Sequence, residues 1–354
     1  MTRVELLDCT LRDGGWMNGF GFGTRVMQQI FQSVRECGIE YAELGYLDLK
    51  AGSPKERSMY CDLEAVRTNG LTGNMEEPAG DPGKKMPCRF VMIDVGKFPA
   101  ELLPARGLSG IDGIRVCFHK KDAAEAFRTG RKILELGYRL VLQPMVNTRY
   151  SEQEFDSLIR AASGTFPELT AFYIVDSFGS MGPEEMCARV QQADALLSGE
   201  TAVGLHTHNS RGLSFRNAAA AAMLPLRRTL MLDASICGIG KGAGNLRTEE
   251  ICRWLNREKE GAYRPEALRP AEEMLTRLLS GVPKIPAEAF LLSAEYRLTP
   301  SYAAFFWQQK GMTEEFLAEL LRNVPDGKKD SFDRETAQEI FRAALEKKEK
   351  KGTI

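Results

Sequence analysis

Eight short apolar segments recur along the first two-thirds of the chain, most of them separated by stretches long enough for a helix. They are Val4–Thr10, Tyr41–Leu47, Arg89–Gly96, Gly113–Phe118, Arg139–Val146, Ala171–Asp176, Ala202–His208 and Leu230–Ile236. Amphipathic patterns fall between most of them, at Arg25–Cys37, Asp122–Leu136, Ser151–Ser163, Pro183–Ser198, Gly212–Met223 and Thr248–Arg257. Ser151 and Glu154 have capping-box spacing, and Pro183 followed by Glu184 and Glu185 suits a first helical turn. Gly137 and Gly199 suit helix ends. Continuous apolar strands alternating with helices imply a parallel sheet covered on its outer face. Eight such units in about 250 residues match a closed (β/α)8 TIM barrel; an open doubly wound sheet is the alternative. Polar residues at the strand ends favour the barrel: Asp13, Glu43, Asp94, Arg115, His119, Asn147, Asp176, His206, His208 and Asn245. In a barrel those ends converge on one mouth, where active sites sit.

The third unit is irregular. Residues 48–88 offer only a short helix near Asp62–Arg67, then a Gly/Pro-rich loop over 69–83. The early part of this unit follows a strand on the mouth side and reads as a lid; the later part reads as inert. After residue 260 the strand pattern stops. Pro265–Ser280, Ala287–Tyr296, Ser301–Gln309, Thr313–Arg322 and Arg334–Lys350 read as helices. The expected division is therefore a barrel over 1–260 and a C-terminal helical extension over 261–354. The charged run Glu346–Lys351 reads as a solvated tail.

Composition narrows the function classes. The net charge of −1 creates no global field for nucleic acid or membrane. No apolar run approaches a membrane span, and Asp8 interrupts any signal-peptide core, so a cytoplasmic protein is expected. Eight cysteines are scattered without a Cys-x-x-Cys pair. That argues against a structural zinc site or a disulfide framework.

The chain has three histidines, and His206 and His208 sit one residue apart at the end of an apolar strand. Positions i and i+2 share a strand face, and neutral imidazole is a common metal ligand. The alternative is a pair of polar residues capping a strand end. Arg12-Asp13-Gly14-Gly15 ends the first strand; such adjacent charges need partners if buried, or form a surface ion pair beside a turn. Gly238, Gly240, Gly242 and Gly244 lead to Asn245, as an anion nest or as a tight turn. One explanation covers the three segments. Asp13, His206 and His208 would offer one carboxylate and two imidazoles to one divalent cation, a donor set that suits Mn²⁺, Mg²⁺, Fe²⁺, Co²⁺ or Zn²⁺.

Thr10–Gly15, Glu43-Leu44-Gly45, His206–Asn209 and Gly242–Asn245 together resemble the motifs of the DRE-TIM metallolyase superfamily. The resemblance covers roughly residues 3–258. Within the superfamily, Arg115 to His119 and Asp176–Met181 resemble the 4-hydroxy-2-oxovalerate aldolase-like (HMGL-like) branch. The resemblance implies Asp13, His206 and His208 as metal ligands, with Asn245 completing or supporting the shell. Manganese is the first choice of metal, with Mg²⁺, Co²⁺ and Zn²⁺ as alternatives. Arg12 would face the developing enolate oxygen. Gly14, Arg115, Asp176 and Ser177 join Arg12 as expected substrate contacts. The catabolic aldolases carry a histidine base four residues after the motif arginine; this chain has Trp16 there. His119 and Glu43 are therefore the candidate bases, with Tyr46 and a metal-bound water also open. Cys237 lies eight residues before Asn245 and lacks the proline that follows the lyases' catalytic cysteine, so it reads as structural.

The implied activity is a metal-dependent aldolase acting on a 2-oxo acid and an aldehyde. A Claisen-type acyl-CoA synthase and a non-catalytic metal-binding barrel subunit are the alternatives. A homodimer is the expected assembly. The C-terminal region lacks the tyrosine of the catabolic enzymes, which argues against an aldehyde dehydrogenase partner.

Overall fold

A computed structural model of the chain describes residues 2–52, 56–72 and 86–350. Residues 73–83 of the Gly/Pro-rich loop, in the later part expected to be inert, lie outside the described residues, as do 53–55 in the early part expected to be a lid, and Lys351.

The strands are β1 Val4–Asp8, β2 Tyr41–Leu47, β3 Met59–Tyr60, β4 Cys88–Asp94, β5 Gly113–Phe118, β6 Arg139–Pro144, β7 Ala171–Asp176, β8 Ala202–Thr207 and β9 Leu230–Ala234. All pairings between them are parallel. They run in the order β1-β9-β8-β7-β6-β5-β4-β2, and a β1–β2 pairing closes the barrel. The two-residue β3 is appended to the end of β2. All eight expected strands are present, and β3 is an addition. The helices Thr24–Cys37, Ala123–Glu135, Glu152–Thr165, Pro183–Leu196, Ser214–Ala222 and Thr248–Glu258 cover the barrel. The capping box of Ser151 and Glu154 forms as the sequence suggests. Among the described residues, no helix is long and apolar enough to cross a membrane.

Side-chain alternation divides each strand between two environments. In β8, Val203 and Leu205 face the helices and join the large outer core. The opposite face of the strands fills the barrel, where Leu7, Phe90, Val141, Ala171, Tyr173 and Met231 form a second cluster. Each such buried side chain contributes roughly 1.5–3 kcal/mol. Toward the mouth, the inward positions turn polar: Glu43, Arg115, Gln143, His206 and Asp233 are all buried.

A bulge in β2 brings two residues onto that inner face. Glu43 pairs with Phe90 and Tyr46 with Met92, so β2 has one residue more than β4 over this stretch. Gly45 carries the irregularity at φ +147°, and a Cβ there would lie 2.0 Å from the carbonyl oxygen of Ser58. Glu43 and Tyr46, three apart, would face opposite sides of a regular strand; the bulge aims both inward.

The packing break comes later than residue 260. Leu268, Ala271 and Leu275 belong to the barrel's outer core, and Leu278 and Leu279 pack against it. A separate cluster begins at Ala289 and includes Phe290, Tyr302, Phe306, Leu317 and Leu321. The helix Arg269–Leu278 is thus part of the barrel unit. Its strongly amphipathic face needs the barrel as a partner, a contact that a count of strands does not reveal.

Candidate metal centre

Asp13, His206 and His208 meet at the mouth, each offering one ligand atom within 4.8 Å of the others. β8 delivers His206, and His208 follows it, bridged to Asn245. The two imidazole rings stand edge to face with centroids 4.9 Å apart. Asp13 follows β1 and is buried. Its Oδ2 accepts from Asn245 Nδ2 at 2.8 Å and from the Lys241 backbone N–H at 3.2 Å. Burial opposes the charge on Asp13, but Arg12, the two histidines and the Asn245 amide hold its carboxyl well below the usual range. Burial pushes His208 down to about 4 despite the pull of Asp13, so its imidazole is neutral at pH 7.

An ion-pair network lies against this cluster. Arg12 Nε donates to Glu43 Oε2 at 2.7 Å and Nη1 to Asp13 Oδ1 at 2.6 Å. Arg115 Nε lies 2.9 Å from Glu43 Oε1, and its Nη1 and Nη2 donate to Asp233 at 2.6 and 3.0 Å. Gln143 Oε1 accepts a further bond from Arg115 Nη1 at 2.6 Å, and the guanidinium stacks over the Tyr173 ring. Tyr173 donates to Asp233 at 2.7 Å. His206 Nδ1 lies 3.0 Å from Asp233 Oδ2, a contact that leaves its Nε2 as the ligand atom.

These residues fit a divalent cation. His208 Nδ1 and Asn245 Oδ1 are buried without a hydrogen-bond partner among the described residues. Two guanidiniums face three carboxylates, Asp13, Glu43 and Asp233, so the network carries one excess negative charge. Cys9, His206 and Asp233 also cluster. There, however, burial raises the thiol pKa well above its ordinary value, and Asp233 is engaged with Arg115.

Several expected contacts have other tasks. Arg115 is fully enclosed with its nitrogens engaged; it holds Glu43 and Asp233 in place and is closed off from a substrate. Glu43 lies between two guanidiniums, which argues against its use as a free base. The Asp176 oxygens accept from the N–H groups of Ser180 and Met181, and burial pushes its carboxyl up to about 6. Ser177 Oγ accepts from the Val146 N–H at 2.9 Å. Asp176 and Ser177 therefore brace loops. Gly14 is buried and opens the short turn Gly14–Met17 that carries Trp16. His119 follows β5 and lies 3.3 Å from Ser331 Oγ of the C-terminal region, and burial lowers its pKa. Cys237 has φ +61°, and burial pushes its thiol up to about 12; it is no ready nucleophile.

Sequence reading missed Asp233, Gln143 and Tyr173. Each lies on the inward register of its strand. A lone Asp in the apolar run Leu230–Ala234 was the available signal.

The rim is aromatic and charged. Trp16 is 48% exposed and packs edge-on against Phe20 and Tyr46. Lys241 Nζ stands 5.5 Å over the Trp16 ring. Asp94 closes β4, and burial pushes its carboxyl up to about 6 despite Lys97 and Lys241.

Comparison with known proteins agrees with this architecture. Residues 118–272 match the HMGL-like family model. A 4-hydroxy-2-oxovalerate aldolase of Geobacillus genomosp. 3 is 26% identical over 315 residues, 88% of each chain. The Chloroflexus aurantiacus protein of that name is also 26% identical, over 73% of this chain and 70% of its own. Among solved structures, the N-terminal domain of a putative aldolase from Bacteroides vulgatus superposes with a TM-score of 0.66 at 20% identity, covering 85% of this chain and 96% of that one. The HMG-CoA lyase of Brucella melitensis gives 0.60 at 16%, covering 79% and 100%. Residues 118–272 are thus similar to the HMGL-like family, and most of the chain is similar, at about a quarter identity, to proteins named 4-hydroxy-2-oxovalerate aldolase.

Proposed function

We propose that the chain is a divalent-metal-dependent carbon–carbon lyase of the aldolase type. It would cleave a 4-hydroxy-2-oxo acid to a 2-oxo acid and an aldehyde, or join the two. The carrying observation is the convergence of Asp13, His206 and His208 beside Arg12 at the barrel mouth. Those three would hold the ion, with Asn245 Oδ1 as a further donor, and Mn²⁺ is the first metal to test. A divalent ion bound there supplies Lewis-acid stabilisation of negative charge on the 2-oxo group.

The chain's own residues account for the remainder. Breaking the bond between C3 and C4 places negative charge on the 2-oxo oxygen. Arg12 is fixed through Nε and Nη1, while its buried Nη2 has no hydrogen-bond partner among the described residues, only a long 3.6 Å ion-pair contact with Asp233 Oδ2. That spare donor is suited to the developing charge. Glu43 holds the guanidinium in its orientation. The 4-hydroxyl must also lose a proton. Asp94 suits this task by position at the mouth and by an acidity near neutrality. Tyr46 and Lys241 both lie within its electrostatic reach.

The test is pyruvate release from 4-hydroxy-2-oxopentanoate by metal-stripped protein reloaded with Mn²⁺. Release should stop in His206→Ala, and Arg12→Ala should lose roughly 10²–10³ in kcat, the scale for one oxyanion donor. A wild-type chain that takes up no divalent ion, or releases no pyruvate from any 4-hydroxy-2-oxo acid, would refute the reading.

A further inference from the structure

Lys241 is a cation at the mouth that the proposed chemistry leaves unused. Its backbone N–H is tied to Asp13 Oδ2, so its side chain starts at the ligand cluster. Its ammonium lies over the face of the half-exposed Trp16. No carboxylate oxygen of the described residues lies within 4 Å of Nζ, whereas Arg12 and Arg115 are locked into ion pairs. Asp13 and Asp94 are both within electrostatic reach of the ammonium, Asp13 the more strongly, but neither carboxylate is in contact with it. A half-buried ammonium whose counter-charges stand off beyond 4 Å is only partly compensated and is relieved by an incoming anion. The Trp16 ring steadies the cation without neutralising it.

Resting on the lyase reading, we propose that Lys241 recognises a second carboxylate, carried on the aldehyde half of the substrate. The substrate class is then a 4-hydroxy-2-oxo dicarboxylic acid. The charge at the rim favours a carboxylate over a phosphate. One lysine with Asp94 nearby matches a single negative charge and repels a dianion. Trp16 stands where the aldolases' histidine would be, so the rim here contributes a cation and a ring face.

Two acids of equal carbon length separate the outcomes. Titration calorimetry with Mn²⁺-loaded protein would compare 2-oxoglutarate, which has the distal carboxylate, with 2-oxopentanoate, which lacks it. The wild type should bind 2-oxoglutarate at least tenfold more tightly. Lys241→Met should bring that ratio close to one, and Lys241→Arg should keep most of it. Equal wild-type affinities overturn the proposal, and so does an equal loss for both acids in Lys241→Met, which would assign Lys241 to the 1-carboxylate. If Lys241→Met fails to fold, the wild-type ratio and the arginine variant still decide. Turnover of 4-hydroxy-2-oxoglutarate against 4-hydroxy-2-oxopentanoate gives the independent check. A chain that cleaves both with equal KM retains the lyase reading and loses this one. A chain that cleaves neither loses the lyase reading, while the binding ratio still reports on Lys241.

Discussion

Neutralising Asp233 would disturb four neighbours at once, because its carboxylate meets Arg115, Tyr173 and His206 and lies 3.6 Å from Arg12 Nη2. Burial opposes its charge, but Arg115 and His206 hold it well below the ordinary carboxylate range. Asp233→Ala breaks the buried Arg115–Asp233 pair and strands its two N–H donors, although Glu43 still holds Arg115 Nε, a loss of about 3–5 kcal/mol; urea unfolding checks this. In Asp233→Asn, the loss of His206 orientation should weaken Mn²⁺ binding about 10–100-fold, measured by competition with a chelating dye. Asp94 makes a prediction in pH. In the proposed role it accepts a proton only when ionised, so kcat/KM should halve near pH 6 and fall tenfold per unit below. The limb should vanish in Asp94→Asn along with most activity, about 10²–10⁴-fold. Burial sets that acidity, with Lys97 and Lys241 pulling it down and Asp122 and Asp48 adding to it, and Asp94 in turn acts on Tyr46 and Cys117. The sign for stability is opposite. A carboxyl whose pKa is raised on folding binds more protons in the folded state, so its contribution weakens as pH rises from about 4 to 6. His206, His208 and Asp13 were legible from type and spacing. Asp233 was not, because one acid in a five-residue apolar strand is also the signature of a strand end, and only the closed barrel brings it to His206.

At the scale of the element, strands give the site its rigidity and loops give it reach. The turn Ile239–Asn245 folds back over Asp13 because Gly240 has no side chain. A Cβ at Gly240 would lie 2.3 Å from Asn245 Nδ2 and 2.6 Å from Asp13 Oδ2. Gly240→Ala should therefore separate Asp13 from Asn245 and weaken Mn²⁺ binding at least tenfold. The barrel strands should melt as before, read by circular dichroism, since the residue lies outside every ladder. Unchanged metal affinity would show that Asn245 lies outside the ligand shell. The four-glycine run announced a close approach in the sequence, but not which backbone it approached. The β2 bulge was less legible still. Glu43-Leu44-Gly45-Tyr46 reads as an ordinary strand, and the extra residue is defined only by its pairing with β4.

The whole molecule has two cores and one mouth. The C-terminal cluster docks on the mouth side, where Pro300 packs on Gly242 and Ala243 joins its apolar surface. Arg149, just beyond β6, pairs with Asp330 at 2.9 Å and donates to the Arg297 carbonyl at 2.8 Å. Ser331 meets His119 beyond β5. The strand count alone placed the boundary at 260, since it could not show that the helix Arg269–Leu278 packs on the barrel. We propose that it lies after Leu279, where the two apolar clusters divide. A chain ending at Lys284 should accordingly keep a cooperatively melting barrel, whereas one ending at 260 should expose Ile251, Cys252 and Leu255 and melt far lower. In the longer truncation, Asp13, His206 and His208 stay on or beside their strands, so Mn²⁺ affinity should fall less than tenfold. The Gly242–Asn245 turn loses its backing, and 2-oxo acid binding should weaken more than metal binding does. Calorimetric titration with Mn²⁺ first and 2-oxoglutarate second separates the two effects. Equal losses in both titrations would mean that the C-terminal cluster holds the ligand set itself, and that the barrel alone does not build the centre.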